Sequence, residues 1–245
     1  MGRISIITIS FNSENSISDT FYSVKSQSYN QYEYLLIDGA SKDGTLNVAN
    51  KQDHISKIIS EPDKGIYDAM NKGIKNSTGD IIGFLNSDDT FNDENSLQHI
   101  VNAFDKNTDC VFGDLVFTDK NENIMRVWKG SEFKKGAFNK GWMPAHPTFY
   151  CRRSIYEKLG LYDDSFKIAG DFELMIRFLE KNNIRSKYVP LTLVNMKVGG
   201  VSNNRIKSKL DILREEFRAF DQNNIQVNKL SYILYKAKKI KEFKF

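Results

Sequence analysis

Four short apolar runs, each followed by Asn or Asp and separated by stretches of helical periodicity, constrain the first ninety or so residues more than any other feature. Ile4 to Phe11 ends at Asn12, and Tyr34 to Ile37 ends at Asp38. Ile55 to Ser60 leads to Asp63, and Asp80 to Leu85 runs into Asn86-Ser87-Asp88-Asp89. Runs this short and this apolar suit strands buried on both faces, the pattern of a parallel sheet. Between them, a helix is predicted from Ser16 or Ser18 to about Gln27, with Ile17, Phe21 and Val24 on one face. Residues 41–45 form a loop that opens another helix, and Gly65 to Lys75 reads as a third, with Ile66, Met70 and Ile74 as its apolar stripe. The alternation predicts an α/β fold with a Rossmann-like, mostly parallel central sheet flanked by helices. Ligands of such sheets collect beyond the carboxyl ends of the strands. Asn12, Asp38, Asp63 and the Asp88-Asp89 pair all fall there.

The acid pair is the sharpest of these. Adjacent carboxylates at the mouth of a buried strand repel one another unless a cation neutralises them. A hard divalent ion takes oxygen ligands and commonly shares them with a phosphate. A solvated turn of Asn, Ser and Asp remains the alternative when the pair is taken alone.

The second half is more mixed. Cys110 to Thr118 and Glu122 to Trp128 read as a strand pair, and 143–150 as a loop entering a strand. Arg153 to Leu159 and Phe172 to Lys181 read as helices, and Ser186 to Val194 as a late strand ending near Pro190. Ile206 to Gln222 is a long amphipathic helix with Ile212, Leu213, Phe217 and Phe220 inward. A division into a core of 1–203 and a helical extension of 204–245 follows, both in one structural unit. The two cysteines, Cys110 and Cys151, have no zinc spacing, which favours a reducing, cytoplasmic setting. Arg3 and the short Ile-rich run read as a first strand and not as a secretory segment. No run of about 18 apolar residues is present to cross a membrane. Residues 229–245 hold six lysines and one glutamate; the chain's net charge is +4, so the remainder is slightly acidic. That excludes the basic body of a nucleic-acid binder. The tail mixes its lysines with Leu230, Ile233, Leu234, Ile240, Phe243 and Phe245. It suits either an anionic membrane surface or packing on its own domain.

Four segments in this order and spacing resemble the GT-A-fold inverting glycosyltransferases of family 2, in the bacterial polysaccharide-assembly branch. They are 5–12, 36–45, 60–73 with Gly79-Asp80 and 86–89, and His146-Pro147-Thr148-Phe149 with 169–174. The resemblance implies a Mn²⁺- or Mg²⁺-dependent transferase. It would move a hexose from a UDP-linked donor to a lipid-linked glycan at the inner face of the cytoplasmic membrane, in O-antigen, capsule or exopolysaccharide synthesis. Ile9, Phe11, Asn12, Asp38, Asp63, Lys64 and Asp88 would hold the donor, with Asp38 reading the base. Asp89 would ligate the metal, Asp171 would be the general base, and His146 would lie on the acceptor side. Where the family often has Glu-Asp, this chain has Gly170-Asp171. Gly199-Gly200-Val201-Ser202 resembles a late loop near the site. Asp68 and Asn71, on one helix, face either the cleft or water. His54 and His99 read as surface residues. A sugar nucleotidyltransferase would need a Gly-rich basic loop after the first strand, which 10–14 does not offer. A non-catalytic nucleotide- or glycan-binding module on the same fold is the alternative from another class.

Overall fold

The computed structural model describes residues 2–198 and 206–241. Its single mixed sheet runs in the order β3-β2-β1-β4-β8-β6-β9-β5, with β7 paired to β6. The parallel portion is β1 (Ile4–Ser10), β2 (Tyr32–Asp38), β3 (Lys57–Ser60) and β4 (Ile81–Phe84). β1 and β2 are buried almost throughout because layers of side chains cover both faces. On one face, α1 (Ile17–Lys25) lays Ile17, Phe21 and Val24 against Ile4, Ile6 and Leu36. On the other, α3 (Ile66–Asn76) buries Tyr67, Met70 and Ile74 against Ile7, Leu35 and Ile37. Ile66, expected in that stripe, is 44% exposed, and Tyr67 takes its place. Ile66 is the first helical residue, so its side chain lies outside the packed turns. α2 (Thr45–Ala49) is a short helix between β2 and β3.

The chain then departs from simple alternation. β5 (Asp89–Phe91) begins three residues after Asn86 and pairs with the far end of β9 (Ser186–Lys197). α4 (Ser96–Ala103) leads to β6 (Cys110–Thr118) and β7 (Ile124–Trp128), the expected strand pair. β8 (Tyr150–Arg152) joins β4 to β6 by antiparallel pairing on both sides. β9 does not stop near Pro190, as the sequence suggested. Pro190 and Leu191 bulge out, so the register jumps from Val189 opposite Gly113 to Thr192 opposite Asp114, and pairing resumes to Lys197. A bulge is where a strand tolerates proline, which has no N–H for the ladder.

α5 (Arg153–Leu159) is followed by α6 (Gly170–Met175), which continues as a π-helical stretch over Ile176–Lys181. α7 (Ile206–Gln222) packs on α6 through Phe220 against Phe172, ring centres 5.4 Å apart. Ala219 and Phe220 are buried and Leu213 and Phe217 partly so, whereas Ile212 is half-exposed. α8 (Lys229–Lys241) packs back through buried Tyr232 onto Phe217 and Phe220. Its Lys236 ammonium donates to the buried Glu216 carboxylate at 2.5 and 2.6 Å. The opposite side of α8 exposes Leu230, Ile233, Leu234 and Tyr235. Residues 199–202 and Phe243 and Phe245 lie outside the described residues, as does the side chain of Ile240. Among the described residues no helix is long and apolar enough to cross a membrane.

Candidate active site

The expected site residues lie at the carboxyl ends of β1, β2 and β4 and at the start of α6, and the acids among them differ sharply in what they face. Asp38 is fully buried. Ser10 Oγ donates to Oδ1 at 2.9 Å and Ser60 Oγ to Oδ2 at 2.7 Å. Ser41 gives its N–H to Oδ2 at 2.9 Å and its hydroxyl to Oδ1 at 2.5 Å. Four donors on two buried oxygens leave no free direction for a ligand's imide. The expectation that Asp38 reads the base is therefore corrected: it ties the ends of β1, β2 and β3 together. Asp38→Ala should lower unfolding free energy by about 3 kcal/mol or more, because it strands buried donors. Urea denaturation measures this. Unchanged stability with weakened nucleotide binding would return Asp38 to the binding site.

An acid that does reach the cleft stands close by. Asp63 takes the Gly65 N–H on Oδ1 at 2.9 Å. Its other oxygen borders Gly39, where an added Cβ would fall 2.5 Å from Oδ2 and 3.3 Å from the Phe11 ring. Only glycine at 39 lets this carboxylate and the Phe11 ring approach the backbone so closely; Phe11 itself is 62% exposed. Asn12, at φ 50°, sits beside it; its side chain accepts from the Lys42 N–H at 2.9 Å and its N–H donates to Ser41 Oγ at 2.8 Å. Ile9 packs its side chain into the core beneath, and Lys64 is exposed with its N–H on Asp68 at 3.0 Å. Asp68 also pairs with Lys72. Asn71 faces neither cleft nor water: it is buried and exchanges two 2.9 Å bonds with the backbone of Tyr162.

The acid pair is split between interior and cleft. Asp89 is fully buried; Asn86 Nδ2 donates to its Oδ2 at 3.1 Å, and its Oδ1 has no hydrogen-bond partner among the described residues. Burial pushes its carboxyl well above the usual range, and the Asp88 charge adds to this. Asp88 is half-buried. Burial raises its pKa too, opposed by the Lys197 ammonium and the His146 imidazole. The expectation that Asp89 meets the metal is corrected on this geometry: Asp88 is the member of the pair that reaches the cleft. The turn is braced by Ser13 Oγ on Ser87 Oγ at 2.8 Å and by Thr20 Oγ1 on Asp89 O at 2.8 Å. Among the described residues no three His, Cys, Asp or Glu side chains gather into a metal cage. Any cation bound at this pair would take one or two oxygens from the protein. That donor set suits a hard cation completed by phosphate and water.

His146 acts on two carboxylates. It lies near enough to Asp88 to lower that acid's pKa, and its Nδ1 is 3.5 Å from Asp171 Oδ2. Asp171, in the first turn of α6, also takes the Phe172 N–H on Oδ1 at 2.8 Å, with the Tyr67 hydroxyl at 3.5 Å. The structure thus sets His146 beside Asp171 and adds Tyr67 to them, while Lys197, paired with Asp19 at 2.5 Å, joins His146 in lowering the pKa of the Asp88 carboxyl; sequence reasoning did not single out Tyr67 or Lys197. Tyr67 lies in the 60–73 segment but one residue off the expected stripe. Lys197 ends a strand that Pro190 hid. Tyr67 explains the missing Glu before Asp171: a Cβ at Gly170 would lie 2.7 Å from its ring. His54 is no surface residue. Its ring stacks on Tyr34 at 5.6 Å, with Nε2 3.0 Å from the Phe21 carbonyl.

Comparison with known proteins agrees with this architecture. A family described as glycosyl transferase family 2 matches residues 5–186. An uncharacterized glycosyltransferase of Mycobacterium tuberculosis is 33% identical over 181 residues, 71% of this chain and 68% of that one. A PGL/p-HBAD biosynthesis glycosyltransferase of the same species is 26% identical over 189 residues, 74% and 72% of the two chains. Among solved structures, Staphylococcus aureus TarS residues 1–349 in complex with UDP-GlcNAc superposes with a TM-score of 0.71 at 17% identity, covering 96% of this chain and 71% of that one. The mannosyltransferase PcManGT of Pyrobaculum calidifontis, in complex with GDP-Man and Mn²⁺, gives 0.68 at 14% identity, covering 97% and 69%.

Proposed function

The chain belongs to glycosyl transferase family 2, and from that premise we propose that it is a metal-dependent inverting enzyme that moves a hexose from a UDP-linked donor to a hydroxyl of a lipid-linked glycan. O-antigen, capsule or exopolysaccharide assembly is the setting we assign to it. The observation that carries the reading is the pairing of His146 with Asp171, 3.5 Å apart at the start of α6, with the imidazole also close enough to lower the pKa of Asp88, the acid beyond β4. Asp88 would hold the cation, and Mn²⁺ or Mg²⁺ there would supply Lewis-acid neutralisation of charge on a departing diphosphate. Lys197, whose ammonium pairs with Asp19 at 2.5 Å, lies near enough to lower the pKa of the Asp88 carboxyl and adds to the positive field there. Asp171 takes the proton of the acceptor hydroxyl as that oxygen attacks the anomeric carbon opposite the leaving nucleotide, which inverts the centre. His146, 3.5 Å from the base, orients it and lines the acceptor side. The base-binding role passes from Asp38 to the group of Phe11, Gly39 and Asp63, where Phe11 offers a stacking face and Asp63 accepts the uracil imide N–H. Ile9, Asn12 and Lys64 support that end of the pocket.

Calorimetry tests the donor assignment. UDP should bind at least tenfold more tightly than GDP, about 1.4 kcal/mol, and Asp63→Ala should narrow that gap while the protein stays folded. A tenfold preference for GDP would sink the uridine assignment.

Residues 1–203 form the transferase core, and 204–245 a helical extension that works with it as one unit. The exposed face of α8 supports a second part of the reading. Leu230 is 70% and Leu234 56% exposed on a lysine-rich helix. An anionic inner leaflet, where a lipid-linked acceptor is found, complements both features; each lysine near it adds about 1 kcal/mol, screened by salt. Full-length protein should co-sediment with vesicles containing phosphatidylglycerol, and replacing Leu230, Ile233 and Leu234 by Ser should release it without altering UDP affinity. Equal sedimentation of the two proteins would remove α8 from the account.

A further inference from the structure

We propose that Glu215 on α7 is a positioning residue for Asp171, acting as a helix cap supplied from a distant part of the chain. The inference rests on the reading of Asp171 as the base. α6 begins poorly by local rules. Ala169 stands at its N-cap and has no side-chain oxygen, and no side chain of the turn itself caps the helix. The free N–H groups of 167–169 point instead at Glu215. Lys167 donates to Oε1 at 2.9 Å, and Ile168 and Ala169 donate to Oε2 at 2.9 and 2.8 Å. Three consecutive amides converging on one carboxylate form an anion-binding concavity, and the charge is well placed against the helix dipole.

The same turn is held from two other sides. The Tyr67 hydroxyl donates to the Ile168 carbonyl at 2.7 Å. Arg218, on α7 next to Glu215, reaches the Ser165 carbonyl at 3.3 Å and lies over the Phe166 ring at 4.2 Å. Asp171 follows this turn by two residues. The carboxylate that faces His146 therefore inherits its position from a residue 44 places along the chain, read from the two residue numbers. Glu215 touches neither Asp171 nor the cleft, so its effect on chemistry passes through the backbone. A misplacement of about 1 Å at a reacting group can cost about a hundredfold in rate.

Two readouts test this in the full chain. In the first, aromatic ¹H–¹³C spectra at fixed pH resolve the three histidines, His54, His99 and His146. Glu215→Ala should move the His146 peak towards its position in Asp171→Asn and leave the other two in place. In the second, UDP release from a UDP-hexose with Mn²⁺ should fall about 10- to 100-fold in Glu215→Ala, with KM for the donor unchanged. Glu215→Gln keeps an acceptor oxygen and should recover most of that loss. The double variant with Asp171→Asn should be no slower than Asp171→Asn alone, because both act at one group. A His146 peak that stays put in Glu215→Ala but moves in Asp171→Asn would overturn the inference, as would losses that multiply in the double variant. Normal UDP release by Asp171→Asn would instead overturn the base assignment, a failure read in a different protein.

Discussion

Asp171→Asn should lower kcat by about 10² to 10⁴ while donor affinity changes little. A positioned base supplies about that much, since an alcohol is a weak nucleophile until its proton is taken. Asparagine keeps the size of the side chain, and its oxygen can still accept the Phe172 N–H that now binds Oδ1 at 2.8 Å. What is lost is the capacity to take a proton, an interaction realised only in the transition state, so the change falls on kcat and not on binding. Product analysis belongs to the same prediction. One base and one displacement give an anomeric centre inverted from that of the donor. Normal turnover, or retained configuration, would end the single-displacement account.

The second large effect separates the two adjacent acids. Asp88→Ala should abolish transfer and remove the stimulation of UDP binding by Mn²⁺, with the fold intact because Asp88 is half-exposed. Asp89→Asn should behave differently. Asp89 is fully buried beside Asn86, whose amide donates to its side chain. A neutral amide of the same shape is therefore a mild change there, and the metal dependence should survive. Calorimetric titration of UDP into each variant, with Mn²⁺ and with EDTA, distinguishes them. Metal-stimulated binding retained in Asp88→Ala but lost in Asp89→Asn would restore the order suggested by sequence alone.

That reversal indicates what the chain makes legible. A run such as Ile4 to Ser10 is apolar enough to be read as a buried strand without any tertiary information, and the acid that follows such a run can be placed at the rim of the sheet. The direction in which the acid points cannot. Asp38 ends one strand and Asp63 lies beyond another, yet Ser10, Ser41 and Ser60 claim both oxygens of Asp38, while Asp63 takes the Gly65 N–H on Oδ1. β5 is three residues long and starts inside the acid motif, so no periodicity announces it. Pro190 hid the second half of β9, and with it Lys197, because a bulge is a property of the pair of strands. Tyr67, Lys197 and Glu215 act across spacings of about 45 to 110 residues from their partners at the site, read from the residue numbers. Their roles arise only once α3, β9 and α7 are packed. Asp171 and His146 were recognisable through the resemblance; their 3.5 Å approach was not.

The central claim is that this cleft carries out metal-dependent transfer and does more than bind a nucleotide. Free UDP, measured after incubating the wild-type protein with a panel of UDP-hexoses in Mn²⁺ and again in EDTA, tests it most directly. At least one donor should be cleaved, EDTA should stop the cleavage, and added Mn²⁺ should restore it. Donor binding detected for members of the panel with no UDP released from any of them, or release that EDTA leaves untouched, would contradict that claim.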